Sequence, residues 1–290
     1  MIVRQAPAKV NLGLAVQRKR PDGYHDIATL FLKISLADTL MFEAMPREIT
    51  VTCDHPDIPS DTGNLVYKAA ALLHPLAPEC GVHIRLQKAI PVAAGLGGGS
   101  SDAAATLLAL NALWELQLPA AALMQYGARL GADVPFFVVP ANAAFGVGRG
   151  DELDPLSCPW EFFLVLVKPP LAVSTAWVYQ QLKFELTQRP NNTNILKQHL
   201  ESGDIASLGS ALFNDLETVV LPQFPVVQEV KQALKQPGVV GVCMSGSGPT
   251  VYALCLSREV AQEVMGAVAQ RGWDVWMRHP WHDITPESHS

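Results

Sequence analysis

Pro91-Val92-Ala93-Ala94-Gly95-Leu96-Gly97-Gly98-Gly99-Ser100-Ser101-Asp102 leads without a break into Ala103-Ala-Ala-Thr-Leu-Leu-Ala-Leu-Asn-Ala-Leu-Trp114. Glycine fills four of the five positions from 95 to 99. A backbone without β-carbons lets a bulky anion approach its N–H groups. Ser100, Ser101 and Asp102 are helix-starting residue types, and Leu107, Leu110 and Trp114 then recur at helical spacing. The glycines therefore empty into a helix N-terminus, whose unsatisfied N–H donors and partial positive charge favour a phosphate.

A flexible Gly/Ser linker is the alternative. Against it, the stretch sits between that helix and Val82-His-Ile-Arg-Leu-Gln-Lys88, which alternates apolar and polar residues as a half-buried strand does. Two familiar nucleotide motifs fail. A Walker loop ends in Gly-Lys-Ser/Thr, whereas Ser100 follows Gly99 directly, and the dinucleotide fingerprint needs a glycine where Ser100 stands. A phosphate cradle of another lineage remains, running from Pro91 to Ser101.

The rest of the chain fits an enzyme of small molecules. Its 290 residues suggest two domains, and 49% hydrophobic with 17% charged residues supports a sizeable core. Lys and Arg number 21 against 27 Asp and Glu, a net charge of −6. With no basic run, a nucleic-acid surface is not expected. Five cysteines, Cys53, Cys80, Cys158, Cys243 and Cys255, are odd in number and widely spaced, so they read as reduced thiols. The longest apolar run, Phe162 to Val167, is far shorter than the ~20 residues of a membrane helix. No membrane partner is expected, and the cytoplasm is the expected compartment.

Near the N-terminus, Val10, Leu12 and Leu14 share one strand face, which puts Lys9 and Asn11 together on the other. A solvated lysine is the ordinary reading of such a position. Arg18 to Gly23 is a turn by composition, and Tyr24-His25 leads into a β-like run, Ala28 to Ile34. Leu65 to Leu73 reads as a short helix after Asn64. Ala120 to Leu130 reads as another, opened by Pro119 and ended by Gly131. In Gly131-Ala-Asp-Val-Pro135, Asp133 is a turn residue by type, with Pro135 predicting an extended Val134. Phe145 to Glu152 looks like a glycine-rich hairpin. Strands at Phe162–Val167, Gly238–Met244, Val251–Leu256 and Trp273–Met277 alternate with helices through Leu182, Ile195–Leu212, Val226–Leu234 and Arg258–Arg271. This alternation predicts an α+β fold with helices on one face of a sheet and a domain boundary near 155, giving residues 1–155 and 156–290. The loop Ser245-Gly-Ser-Gly-Pro249 is either a cleft lining or a structural turn. His279, His282, Asp283 and His289 do not form a closed metal set, and the tail from His279 is expected to be frayed and solvated.

Four stretches taken together carry a resemblance: Ala6-Pro-Ala-Lys-Val-Asn-Leu12 with Arg20-Pro-Asp-Gly-Tyr-His25; Pro91 to Ser101; Gly131-Ala-Asp-Val-Pro135; and Met244-Ser-Gly-Ser-Gly-Pro-Thr-Val251. In this order the chain resembles the GHMP kinase superfamily along nearly its whole length. Asp22-Gly-Tyr-His25, Gly95-Leu-Gly-Gly-Gly-Ser-Ser101 and Gly131-Ala-Asp-Val-Pro135 together narrow the resemblance to the branch acting on cytidine diphosphate methylerythritol. Asn64-Leu-Val-Tyr-Lys68, Val173-Ser-Thr175 and Asn214-Asp-Leu-Glu217 also resemble segments of that branch. Ala93 and Ala94 depart from the pattern, standing where relatives often carry glycine.

The resemblance implies an N-terminal ribosomal-protein-S5-like β/α domain and a ferredoxin-like C-terminal α/β sandwich, with ATP and substrate between them. It makes Lys9 and Asp133 the catalytic pair, with Asp133 accepting the proton of the attacking hydroxyl. Residues Pro91, Val92, Ala93, Ala94, Gly95, Leu96, Gly97, Gly98, Gly99, Ser100 and Ser101 become the ATP loop. Ser101 also becomes a candidate for placing the Mg²⁺ that accompanies ATP. Tyr24 and His25 are assigned to cytidine, with Tyr179 as a second stacking face, and Asn11 and Thr175 to the substrate. For His25, closing a tight turn is the structural alternative. A homodimer is left open. Other small-molecule kinases of the superfamily, such as homoserine or mevalonate kinases, and a non-catalytic nucleotide- or RNA-binding module on an S5-like fold, stand as the competing expectations.

Overall fold

The computed structural model describes residues 1–182 and 192–282. Two long strands, β1 (Ile2–Lys19) and β2 (His25–Pro46), form an antiparallel hairpin that runs through all three apolar cores. The register slips between Pro7 and Ala8, Asn11 and Gly13, and Val16 and Arg18. The slips at Asn11/Gly13 and Val16/Arg18 each put an extra residue into β1 and break its alternation, so simple alternation in the sequence outlines only part of the strand.

The first half continues with β3 (Ile49–Cys53), α1 (Leu65–Leu73), β4 (Cys80–Gln87), α2 (Gly98–Leu113), α3 (Ala120–Ala128), α4 (Val134–Val138), β5 (Ala143–Val147) and β6 (Glu152–Leu156). The second half supplies β7 (Phe163–Lys168), α5 (Thr175–Gln181), α6 (Asn192–Ser202), α7 (Ile205–Ser210), β8 (Phe213–Asn214), α8 (Glu217–Gln223), α9 (Pro225–Ala233), β9 (Val239–Met244), β10 (Val251–Cys255), α10 (Arg258–Val268) and β11 (Asp274–Arg278).

The first sheet has the order β3-β4-β2-β1-β8, with the β5–β6 hairpin joined beside β2. Alanines on α1 and α2, among them Ala69, Ala70, Ala103 and Ala104, are fully buried and let the two helices pack closely over it. Asn64 caps α1 by accepting from Val66 N–H at 2.8 Å, a cap worth about 1 kcal/mol. The second sheet is antiparallel in the order β11-β7-β10-β9, which is fourth, first, third, second: the ferredoxin-like arrangement. Leu164 and Leu166 of β7 enter the cluster that holds Leu30 and Leu32 of β2, while Val165 and Val167 pack with Val230 of α9 and Val264 of α10. The period-2 alternation of β7 thus joins the two halves on one face and holds helices on the other. Among the described residues no helix is long and apolar enough to cross a membrane.

Three expectations need correction. Helix α2 begins at Gly98 with Gly97 as its cap at φ +71°, so Gly98, Gly99 and Ser100 form its first turn and the serines do not start it. Val134 opens α4, and Pro135 sits in that helix's first turn, where a missing N–H costs nothing. Residues 279–282 are not frayed: Ser35 N–H donates to His279 O and Trp281 N–H to Lys33 O, both at 2.9 Å, and Pro280 lies opposite Ile34 on β2. Asp283 and His289 lie outside the described residues.

Candidate active site

A cleft of about 970 Å³ opens between the two sheets, and both glycine-rich loops line it. The first loop is docked by backbone bonds. Lys9 N–H of β1 donates to Leu96 O at 2.9 Å, and Ser245 Oγ donates to Gly95 O at 3.0 Å. A β-carbon on Gly95, at φ +76°, would stand 2.2 Å from Ser245 O, and one on Gly97 would stand 2.9 Å from the Phe137 ring. These two glycines are therefore required by packing as well as by any ligand, which the sequence reading did not foresee. Asn214 holds the second loop by donating to Met244 O at 2.8 Å and Gly246 O at 2.7 Å.

The α2 terminus faces the cleft. Ser101 N–H is already bonded to Gly97 O at 2.9 Å, leaving the N–H groups of Gly98, Gly99 and Ser100 without intrahelical acceptors. Pro91 through Ser100 all line the cleft; Ser101 does not. Its Oγ, on a residue 1% exposed, is buried without a partner beside a second hollow. The Ser100 Oγ lies 3.8 Å from where a β-carbon on Gly131 would be. Ala93, in the departure noted above, has φ +52°, a conformation that glycine adopts without penalty.

Lys9 and Asn11 share a face of β1, as the alternation predicted. Lys9 is 3% exposed, and its Nζ lies 2.6 Å from Asn11 Oδ1 and 3.6 Å from Asp133 Oδ2. Burial lowers the ammonium's pKa below the ordinary lysine value, with Asp133 acting against the shift. Asp133 immediately precedes α4 without a side-chain capping bond, and its side chain remains 33% exposed in the cleft. A hydroxyl brought beside it could give up a proton while Lys9 neutralises charge. Asn11 is spent internally, its amide nitrogen donating to Thr29 Oγ1 at 2.8 Å.

Tyr24, His25 and Tyr179 also line the cleft. Tyr24 is 53% exposed, with the Arg149 guanidinium 5.2 Å over its ring. His25 and Tyr179 stack on each other, with centroids 5.1 Å apart and planes at 28°. One face of Tyr179 is therefore taken by His25 and not offered to a base. Burial and the nearby Lys19 lower the His25 pKa, so the imidazole is neutral near pH 7. Burial first, and Asp133 second, raise the Tyr179 phenol. Thr175 Oγ1 is 2.7 Å from Ser247 Oγ, joining α5 to the second loop.

Sequence reasoning missed a buried charge cluster under the loop. Lys88 Nζ lies 2.5 Å from Asp38 Oδ2 and 2.8 Å from Asp102 Oδ2, and Asp38 also accepts from Ala89 and Ile90 N–H at 2.6 and 2.8 Å. Asp38 thereby pins the start of the loop. The Asp102 carboxyl is pushed up to about 7 by burial and by Asp38, with Lys88 opposing. The local signal was Lys88, three residues before Pro91. Among the described residues no three His, Cys, Asp or Glu side chains gather into a metal centre.

Comparison with known proteins agrees with this geometry. Residues 64–140 match the GHMP kinases N terminal domain and residues 196–274 the GHMP kinases C terminal domain. A 4-diphosphocytidyl-2-C-methyl-D-erythritol kinase of Exiguobacterium sibiricum is 44% identical over 91% of this chain and 92% of its own. A crystal structure of 4-(cytidine 5'-diphospho)-2C-methyl-D-erythritol kinase superposes with a TM-score of 0.81 at 37% identity, covering 97% of this chain and 100% of that one. Homoserine kinase from Cytophaga hutchinsonii superposes with a TM-score of 0.74 at 22% identity over 97% and 94% of the two chains, a likeness of fold alone.

Proposed function

This chain belongs to the 4-diphosphocytidyl-2-C-methyl-D-erythritol kinases of the GHMP kinase superfamily, and from that membership we infer its reaction. It transfers the γ-phosphate of ATP to the 2-hydroxyl of 4-diphosphocytidyl-2-C-methyl-D-erythritol, giving the 2-phosphate and ADP, in the non-mevalonate route to isoprenoid precursors. The observation that carries the reading is the Lys9–Asp133 pair, set in one cleft with a bare helix terminus and an aromatic cluster.

Phosphoryl transfer asks for alignment and charge neutralisation more than for covalent help. Asp133 accepts the proton of the 2-hydroxyl, a role worth about 10²- to 10⁴-fold in rate. Lys9, 3.6 Å from Asp133, places positive charge near the transferring group. The N–H groups of Gly98, Gly99 and Ser100 hold triphosphate oxygens, each charge-assisted bond contributing about 1.5 to 3 kcal/mol. Tyr24, stiffened by Arg149, offers its exposed ring to the cytosine, and neutral His25 offers a hydrogen bond to the base edge. Mg²⁺ prefers oxygen donors and usually keeps phosphate and water ligands. The cleft-facing Ser100 hydroxyl fits that preference and would hold the ion together with ATP, where it neutralises phosphate charge. Residues 1–155 form the ATP-binding domain and 156–290 the second domain in this reading.

A panel of alcohols incubated with ATP tests the function. The cytidine diphosphate alcohol should yield ADP; turnover of homoserine or mevalonate in its place would overturn the assignment.

A further inference from the structure

A chain of hydrogen bonds runs inward from the Lys9 ammonium. Lys9 Nζ donates to Asn11 Oδ1 at 2.6 Å, Asn11 Nδ2 donates to Thr29 Oγ1 at 2.8 Å, and Thr29 Oγ1 donates to Gly13 O at 2.7 Å. All three bonds are buried, and Thr29 is wholly inaccessible. An asparagine amide can turn over, exchanging its oxygen for its NH₂ group with almost no change in shape. Something must decide which end meets Lys9.

Thr29 makes that decision through hydrogen count. A hydroxyl has one hydrogen, and Gly13 O can only accept, so committing the hydrogen there leaves Thr29 only lone pairs for Asn11. The NH₂ end must then face Thr29 and the oxygen must face the ammonium. In the reverse orientation, two N–H donors would confront a buried cation, and the amide oxygen would confront a hydroxyl oxygen. The surrounding backbone is pinned from the other sheet, since Tyr252 donates its phenol to Asn11 O at 2.8 Å where the β1–β2 register slips.

Other elements around Lys9 do not substitute for this acceptor. β2 offers the Phe31 ring at 5.6 Å, and a β-carbon on Gly246 of the second loop would lie 3.2 Å from Nζ. The charge acting on the ammonium is that of Asp133, at 3.6 Å. Without Asn11 Oδ1, Lys9 would have that partner alone to fix its direction.

We propose that Thr29 is a positioning residue for phosphoryl transfer: by spending its only hydrogen on Gly13 it fixes the Asn11 amide, which in turn aims Lys9 at Asp133 and the transferring phosphate. The inference rests on the catalytic reading of Lys9 given above. Thr29 touches neither reactant, so its effect should fall on the chemical step and spare binding.

The test compares Thr29→Val, Thr29→Ser and Lys9→Ala in the full chain, with melting temperatures measured alongside. Thr29→Val keeps the shape and removes the hydroxyl. It should lower kcat about 10- to 10²-fold while KM for ATP and for the alcohol moves less than about threefold. Thr29→Ser, which keeps the hydroxyl, should recover most of that loss. A folded Thr29→Val enzyme with the parent's kcat would overturn the proposal, as would a Thr29→Ser enzyme impaired as badly as Thr29→Val. Retained turnover in Lys9→Ala would instead bring down the reading of the catalytic pair, so the two failures are distinguishable.

Discussion

Replacing Gly95 by alanine probes the contact on which the cleft depends. The added β-carbon would lie 2.2 Å from Ser245 O and 3.0 Å from Gly248 O, so the loops must part by about 1 Å to reach ordinary contact. The second loop cannot easily recede, because Asn214 holds it at two carbonyls. The displacement therefore falls on residues 93 to 97. An L side chain at φ +76° costs about 1 to 2 kcal/mol. Losing the Ser245–Gly95 bond costs about 1 kcal/mol more. We expect Gly95→Ala to lose about 2 to 4 kcal/mol of stability, read as a lower urea midpoint. Its kcat/KM should fall about 10²-fold, the usual consequence of an ångström-scale displacement of a catalytic loop. Gly99→Ala is the stability control. Its β-carbon would meet only the end of Leu65 at 3.3 Å, in a helical turn that alanine favours, so its midpoint should hold or rise. An unchanged midpoint in Gly95→Ala with only ATP binding weakened would refute loop docking as the reason for this glycine. Phosphate access would then be its sole role.

Asp133→Asn should retain ATP affinity by calorimetry and lose at least about 10²-fold in kcat; parent-like turnover would remove Asp133 from proton transfer. Ser100→Ala should raise the Mg²⁺ concentration needed for half-maximal rate, whereas Ser101→Ala, altering a side chain outside the cleft, should leave it unchanged. The opposite pattern would restore the original expectation for Ser101. Asp102 holds its proton to about pH 7 when folded but releases it near 3.8 when unfolded, so its contribution to stability declines as pH rises across that interval. The ligand-free Asp102→Asn protein should show a flatter dependence of melting temperature between pH 4 and 7, and an identical slope would contradict the raised carboxyl.

Much of this architecture was legible because local patterns and packing agree. Asn64 caps the helix it precedes, the alternation of β7 places Leu164 and Val165 on opposite faces, and the glycine-rich 145–152 stretch turns between β5 and β6. Alternation also put Lys9 beside Asn11. Their meeting with Asp133 came only through the family resemblance, since periodicity has no reach across 124 positions. Side chains whose partners are remote left no trace: Asp38, Lys88 and Asp102 form one cluster from three elements. Thr29 looks like any strand threonine until Gly13 O is located. Helix propensity misplaced the start of α2, because Gly98 and Gly99, poor helix formers by type, occupy its first turn. The return of residues 279–282 onto β2 uses backbone groups, which side-chain composition does not report.

The return of residues 279–282 onto β2 has a bearing on how reactants come and go. The C-terminal sheet is fastened to the N-terminal one through residues 279–282, through β8 beside Gly13, and through the 95–245 loop contact. A clamshell swing would have to tear several of these fastenings in every turnover. The exposed rim residues Tyr24 and Val92 lie outside these fastenings and can shift without disturbing the frame that sets the Lys9–Asp133 spacing.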